Sequence, residues 1–227
     1  LLPFLQSVVA YREIPMEEIL DAIEKADREM YEAGIVAVGD ISNKADTAAT
    51  KSNSPIRYYT FVEMFDFLQD TAAQNTFDGY KEVFNAQSGD KGNRKSCVPH
   101  APYTVSKRLF ELINGINTKG ATVSIHNQET AHENEFFLTK TGGFLDFYQS
   151  FNIPIDNFRP SGKTSIHYAL QHMAPDCKTL FVHNTMTRPE DIRAARAWND
   201  QVYWATCPNA NLYIENRLPY YRYFMDE

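Results

Sequence analysis

The sequence predicts a parallel α/β barrel, and three observations carry that prediction. Short β-rich runs alternate with helical patterns along the chain: IVAVGD (35–40), IRYYTFVE (56–63), KSCVPH (95–100), ATVSIH (121–126), KTLFVH (178–183) and QVYWATC (201–207). Most of these runs end on a histidine or an acid, and in a (β/α) barrel all such ends converge on one mouth. No glycine-rich phosphate turn follows the first run, which weighs against an open doubly wound sheet. Three of the five steps between run ends are nearly equal, as βα units of one layer would be, and the two long ones predict insertions. A complete barrel has about eight strands. The six runs therefore predict strands two to seven of a (β/α)8 TIM barrel, one partial domain over 1–227. A start at Leu1 and an end at FMDE without a helix stop signal predict an excerpt of a longer polypeptide.

The helices between the runs are legible. PMEEILDAIEKADREMYEAG (15–34) opens on a proline, closes on Gly34 and aligns Ile19, Ala22, Ile23, Ala26 and Met30 on one face. TVSKRLFELINGI (104–116) has Thr104 as its expected cap and a stripe of Leu109, Leu112, Ile113 and Ile116. TRPEDIRAARAW (187–198) has Thr187 as expected cap, with Pro189, Glu190 and Asp191 suited to the positive end of a helix. FYQSFNIPIDNFRP (147–160) is aromatic, holds two prolines and shows no clear period, so an ordered insertion loop is expected.

Bulk properties narrow the partners. At 227 residues and 43% hydrophobic the chain can bury one sizeable core. A formal charge of −7 without any Lys/Arg-rich run removes the footprint that nucleic acids or anionic membranes need, leaving a small-molecule partner. No window reaches 18 apolar residues, and LLPFLQSVVAYR at the start is too short to span, so a cytoplasmic protein is expected. Cys97, Cys177 and Cys207 have neither disulfide-framework nor zinc-site spacing.

Strand side chains alternate, so Thr122, Ser124 and His126 share one face while Val123 and Ile125 share the other. The same count points Ser96, Val98 and His100 inward, and likewise Thr179, Phe181 and His183. Three histidines thus meet at the mouth. Glu129 follows His126 by three residues, and a ligand histidine beside a carboxylate is what metal-assisted hydrolysis needs. Glu133 and Glu135 read as a solvated helix start and His132–Glu135 as a surface pair, while Asp40 and Glu63 end their strands compatibly with the mouth.

VPHAPYTVS (98–106), SIHNQET followed by Glu133 (124–133), LFVHNT (180–185) and TCPNANLYIENRLP (206–219) resemble the successive strand-end motifs of the amidohydrolase superfamily. Within it they are most similar to the cytosine deaminase/chlorohydrolase-like branch, which includes guanine and adenosine-type deaminases. The resemblance implies a barrel of the metal-dependent hydrolase type, one zinc or iron ion per site, and hydrolytic deamination of a ring. Residue by residue, it implies that His126 is a metal ligand, Glu129 the proton shuttle, His183 the group that orients the water or stabilises the oxyanion, and His100 a substrate contact. The family's His-x-His pair occurs nowhere in this sequence, and Asp226 stands at no recognisable strand end. The chain on its own is therefore expected to be inactive, and a catalytically empty barrel used for binding or scaffolding is the alternative.

Other features carry less. PSGKTS (160–165) lacks the first glycine of a phosphate loop, where Asn157 stands. His167 and His172 are off one helical face, Cys207 lacks any cue for a reactive thiol, and TCPNANL reads as a turn in which Asn211 fixes the loop. The insertion at 127–178 is expected to shape a pocket or a subunit contact, as is YIENRLPYYRYF, and its exposed tyrosines predict a homo-oligomer.

Overall fold

The computed structural model describes residues 14–227, so the first thirteen residues, including the stretch LLPFLQSVVAYR, lie outside the described part. Six strands form at the six expected runs, with bounds shifted by one or two residues at four of them: β1 Ala37–Ser42, β2 Arg57–Met64, β3 Arg94–Pro99, β4 Thr122–Asn127, β5 Lys178–His183 and β6 Val202–Ala205. They pair in parallel and in chain order, as β1-β2-β3 and β4-β5-β6. Hydrogen bonds carry the wall across the gap between β3 and β4. The His126 amide donates to the His100 carbonyl at 2.8 Å and the Ser96 hydroxyl to the Thr122 carbonyl at 2.7 Å. The Tyr59 hydroxyl from β2 bonds both the amide and the carbonyl of Thr122.

Helices cover one side of this wall: α1 Met16–Glu32, α2 Ala48–Asn53, α3 Ala73–Ala86, α4 Lys107–Ile116, α5 Ala131–Thr139, α6 Gly143–Ser150, α7 Ser165–His172, α8 Pro189–Trp198, α9 Pro208–Glu215 and α10 Tyr221–Asp226. The main core packs Leu109, Phe110 and Ile113 of α4 and Ile166 and Ala169 of α7 onto Val123, Ile125 and Phe181. Leu112 and Ile116, the rest of the α4 stripe, border it half-buried. The α1 stripe is another matter, since no residue of that helix is buried and Val36 beside the edge strand is 68% exposed.

Three sequence expectations are corrected. The cap of α4 is Ser106 rather than Thr104; its hydroxyl accepts from the Leu109 amide at 3.1 Å. The Asp66 carboxylate fixes Ser106 through its amide at 2.8 Å and its hydroxyl at 2.5 Å, while Thr104 closes a 3-10 turn, Pro102–Thr104. Replacing Ser106 by Ala removes the cap and strips a buried carboxylate of a donor, so a loss of about 1–2 kcal/mol in urea denaturation is expected. The cap of α8 is Arg188 rather than Thr187, because the Thr187 hydroxyl is spent on the Gln128 side chain at 2.7 Å. TCPNANL is not a turn: Pro208 opens α9, the first-turn position where a missing amide costs nothing.

The stretch 147–160 is also only partly a loop. Phe144, Phe147 and Tyr148 stand three and four apart on α6, and that face is buried against Phe136, Phe137, Ala101 and Tyr103 as a second core. The loop after α6 returns to it by stacking Phe158 on Phe136 at 4.3 Å, and the Lys140 ammonium donates to the Ile155 and Phe158 carbonyls. The PSGKTS segment spends the amides of Ser161 and Gly162 on the Phe137 carbonyl, so they are not available to a phosphate.

Strand register settles which side chains face the mouth. Glu63 pairs with Val98 and His126 with Val182, on the inner face. Phe181 pairs with Ile125 and joins the core, contrary to the count that pointed it inward. His183 is out of step with that count too: its register partner is Asn127, yet its φ of 74° swings the ring back to the mouth. Asp40 pairs with Thr60 on the helix side and forms an ion pair with buried Lys51 at 2.5 Å, so it does not reach the mouth.

Candidate active site

Four chemically able side chains meet where β2, β3, β4 and β5 end. Glu63 Oε1 lies 2.9 Å from His126 Nε2, and His126 Nδ1 lies 3.1 Å from His183 Nε2. His183 Nδ1 is 3.0 Å from Asn211 Oδ1 of α9 and 3.4 Å from the Glu129 carboxylate. The His100 ring packs edge-on to His126 with centroids 5.0 Å apart, and its Nδ1 is 2.7 Å from the Thr104 hydroxyl.

Proton positions follow from these partners. Burial opposes charge on both His126 and Glu63, but their neighbours together outweigh it: the bond and charge of Glu63 with the charges of Glu129 and Glu133 raise the imidazole, and His100 and His126 lower the carboxyl. His183 is pushed down to about 4 by burial and by His126, so it is neutral at pH 7. It can then donate from Nδ1 to Asn211, leaving Nε2 to accept from His126. His100 is likewise lowered to about 4, by burial. The Thr104 hydroxyl also donates to the Ala101 carbonyl, so it accepts from His100 Nδ1 and leaves Nε2 with a free lone pair. Burial raises Glu129, which suits a group that must take up a proton.

Glu63, His100 and His126 each offer a ligand atom, all within 4.8 Å of one another. One neutral imidazole, a second that gives up its proton when it ligates, and one carboxylate form a donor set of the kind zinc or iron(II) takes. The residues present therefore fit a divalent ion.

Of the histidines and the acid that the sequence singled out, all four are brought together. Two partners were missed. Asn211 is fully buried and bonds His183 twice, its amide reaching the His183 carbonyl at 3.3 Å. Glu133 is not solvated: it is fully buried and accepts from the amides of Gln128 at 3.0 Å and Glu129 at 3.1 Å. Its burial after an acid-rich loop has no signal in a single sequence, whereas Pro208 at a helix start was a signal for α9. His132–Glu135 stays an exposed pair, and burial raises the Cys207 thiol, which leaves no thiolate.

Burial pushes Glu133 up to about 7 from its ordinary 4.5, against the two amides that favour its charge. With the folded pKa raised, the stability it allows is fully present below pH 4.5 and falls as the pH rises towards about 7, by up to about 1.4 kcal/mol per unit. In urea melts between pH 4 and 8, Glu133→Gln is expected to flatten this decline.

No protein-family model matches the chain. Among curated proteins it is similar to the aminodeoxyfutalosine deaminase of a Nitratiruptor species, at 26% identity over 220 residues, covering 95% of this chain and 52% of the relative. Among solved structures it is similar to the Helicobacter pylori aminofutalosine deaminase, with a TM-score of 0.76 at 21% identity over 91% of this chain and 51% of that one. It is also similar to a zinc-bound adenosine deaminase from Xanthomonas campestris, with a TM-score of 0.66 at 20% identity over 94% and 44%. These relatives bear out the resemblance to the deaminase class of the amidohydrolase superfamily, and the fold is that of its α/β barrel. Within the class, the likeness runs to aminodeoxyfutalosine deaminases, and the chain spans about half the length of the relatives it matches. Among the described residues no helix is long and apolar enough to cross a membrane.

Proposed function

We propose that this chain supplies the proton-handling side chains of a metal-dependent aminohydrolase that replaces a ring amino group of a purine-like small molecule by oxygen. The observation that carries this reading is the line Glu63–His126–His183, with the buried Glu129 carboxylate 3.4 Å from His183. Zinc or iron would be held at His126, with Glu63 and His100 as the other donors within reach. Such an ion supplies the Lewis acidity that lets water ionise near neutral pH.

The chain's own groups do the rest. Glu129, raised by burial, takes the proton from the attacking water as the C–O bond forms. It then gives that proton to the amino nitrogen as the C–N bond breaks and ammonia leaves. Neutral His183, anchored by Asn211 through Nδ1, is assigned to orienting the water, for which its unprotonated Nε2 is an acceptor. His100 is assigned to the substrate by the resemblance; retention of zinc in His100→Ala would support that role over ligation. The reading places the protein in the cytoplasm as a homo-oligomer. Exposed Tyr213 at 80%, Met225 at 84% and Val36 at 68% are the surfaces that self-association would cover. The test is ammonia release from aminodeoxyfutalosine and adenosine by the zinc-loaded protein as its gene encodes it. Turnover of either supports the reading, and zinc binding without turnover of any aminated purine supports the scaffold.

A further inference from the structure

Gln128, the residue before Glu129, has a strained backbone. Its φ of 46° is left-handed, a region that a non-glycine residue adopts only under strain. Four groups hold it there, three on the buried residues Glu133, Asp191 and Thr187 and the fourth the backbone of half-buried Met186. Its amide donates to the Glu133 carboxylate at 3.0 Å, and its side-chain nitrogen to the Asp191 carboxylate at 3.1 Å. Its side-chain oxygen accepts from the Thr187 hydroxyl at 2.7 Å, and its carbonyl from the Met186 amide at 2.9 Å. Asp191 is itself fixed by the Thr164 hydroxyl at 2.5 Å and the Arg188 amide at 3.1 Å.

The same network clasps the loop that carries His183. Asn127 Nδ2 donates to Asn184 Oδ1 at 3.0 Å, and the Asn184 amide to the Asn127 carbonyl at 3.0 Å. Asn184 is left-handed as well, at φ 59°, and its side-chain Nδ2 donates to the Phe181 and Ala205 carbonyls. The turns after β4 and β5 are thus built as one buried polar unit, and Glu129 and His183 stand on its two arms. Apart from His183, whose ring bonds His126, no side chain of the unit touches Glu63 or His126 among the bonds described.

We propose that Gln128 and Asp191 are positioning residues, which hold the two turns in a left-handed, mutually bonded state so that the Glu129 carboxylate stays against His183. This rests on the reading of Glu129 as proton carrier. A merely structural role and a positioning role diverge at Gln128→Gly. Glycine adopts φ 46° without strain. A structural role predicts an ordinary enzyme with an unchanged or slightly shifted melting midpoint. Positioning predicts that kcat falls about 10- to 100-fold while KM stays within about twofold, because a small displacement of a reacting group costs rate rather than binding.

The experiment measures kcat and KM for aminodeoxyfutalosine deamination in the wild-type, Gln128→Gly and Asp191→Asn proteins as encoded by the gene and loaded with zinc. Amide hydrogen exchange is read in parallel at residues 128–130 and 184–187, with β2 as the internal control. The expected result is a kcat loss at constant KM in both variants, with faster exchange confined to the two turns. Wild-type kcat with unchanged exchange in both variants would overturn the proposal. A wild-type protein that releases no ammonia counts against the aminohydrolase reading itself. Exchange at the two turns then decides the positioning claim, since turns that keep their protection in both variants would overturn it.

Discussion

Under the proposed mechanism, Glu129→Gln is expected to lower kcat for ammonia release by about 10²–10⁴-fold and to leave KM nearly unchanged, the range that positioned acid–base groups contribute. Glutamine keeps the size of the side chain and its contact with His183, so the turn it stands on is retained, yet it can neither take the proton from water nor return it to the amine. Burial gives the carboxyl its raised affinity for a proton, so the rate in the wild type falls on the acid side as Glu129 becomes protonated and loses its base function. In Glu129→Gln that acid limb disappears from the residual rate. A variant with wild-type kcat would remove Glu129 from the mechanism.

Phe136→Ala is the substitution with the largest expected effect on stability. Its ring is fully buried, stacked on Phe158 at 4.3 Å and packed on Tyr148 and Phe144. Truncating a buried phenylalanine costs about 3–5 kcal/mol, a large share of the roughly 5–15 kcal/mol that holds a domain together. Because α5 carries both Phe136 and Glu133, the loss is transmitted to the turn that bears Glu129. Hydrogen exchange is expected to rise across residues 131–164 before it rises in β4 and β5. Equal protection of the insertion in the variant and the wild type would contradict this.

The wall of the barrel was legible because strand chemistry is local. β-Branched and aromatic runs that end on His100, His126 and His183 declare both their conformation and the end at which the polar groups gather. Glu63 was visible as a strand-end acid, but its bond to His126 depends on two strands that are 63 residues apart. Counting by two failed at β5, where the left-handed His183 breaks the alternation that Phe181 still obeys in the core. The polar unit behind the site was illegible for the same reason. Gln128, Glu133, Asp191 and Asn211 look like ordinary solvated loop and helix-start residues until the fold buries them against one another. Aromatic residues on α6 hid a helical face in the same way, since Phe144, Phe147 and Tyr148 sit among further rings that blur the period.

The central claim is that His126 holds a catalytic divalent ion, and the direct measurement is zinc or iron content per chain in the protein as its gene encodes it, with and without His126→Ala. About one ion per chain in the wild type, lost in the variant, is the result this account predicts. No bound ion in either protein, or one retained undiminished in His126→Ala, would contradict it.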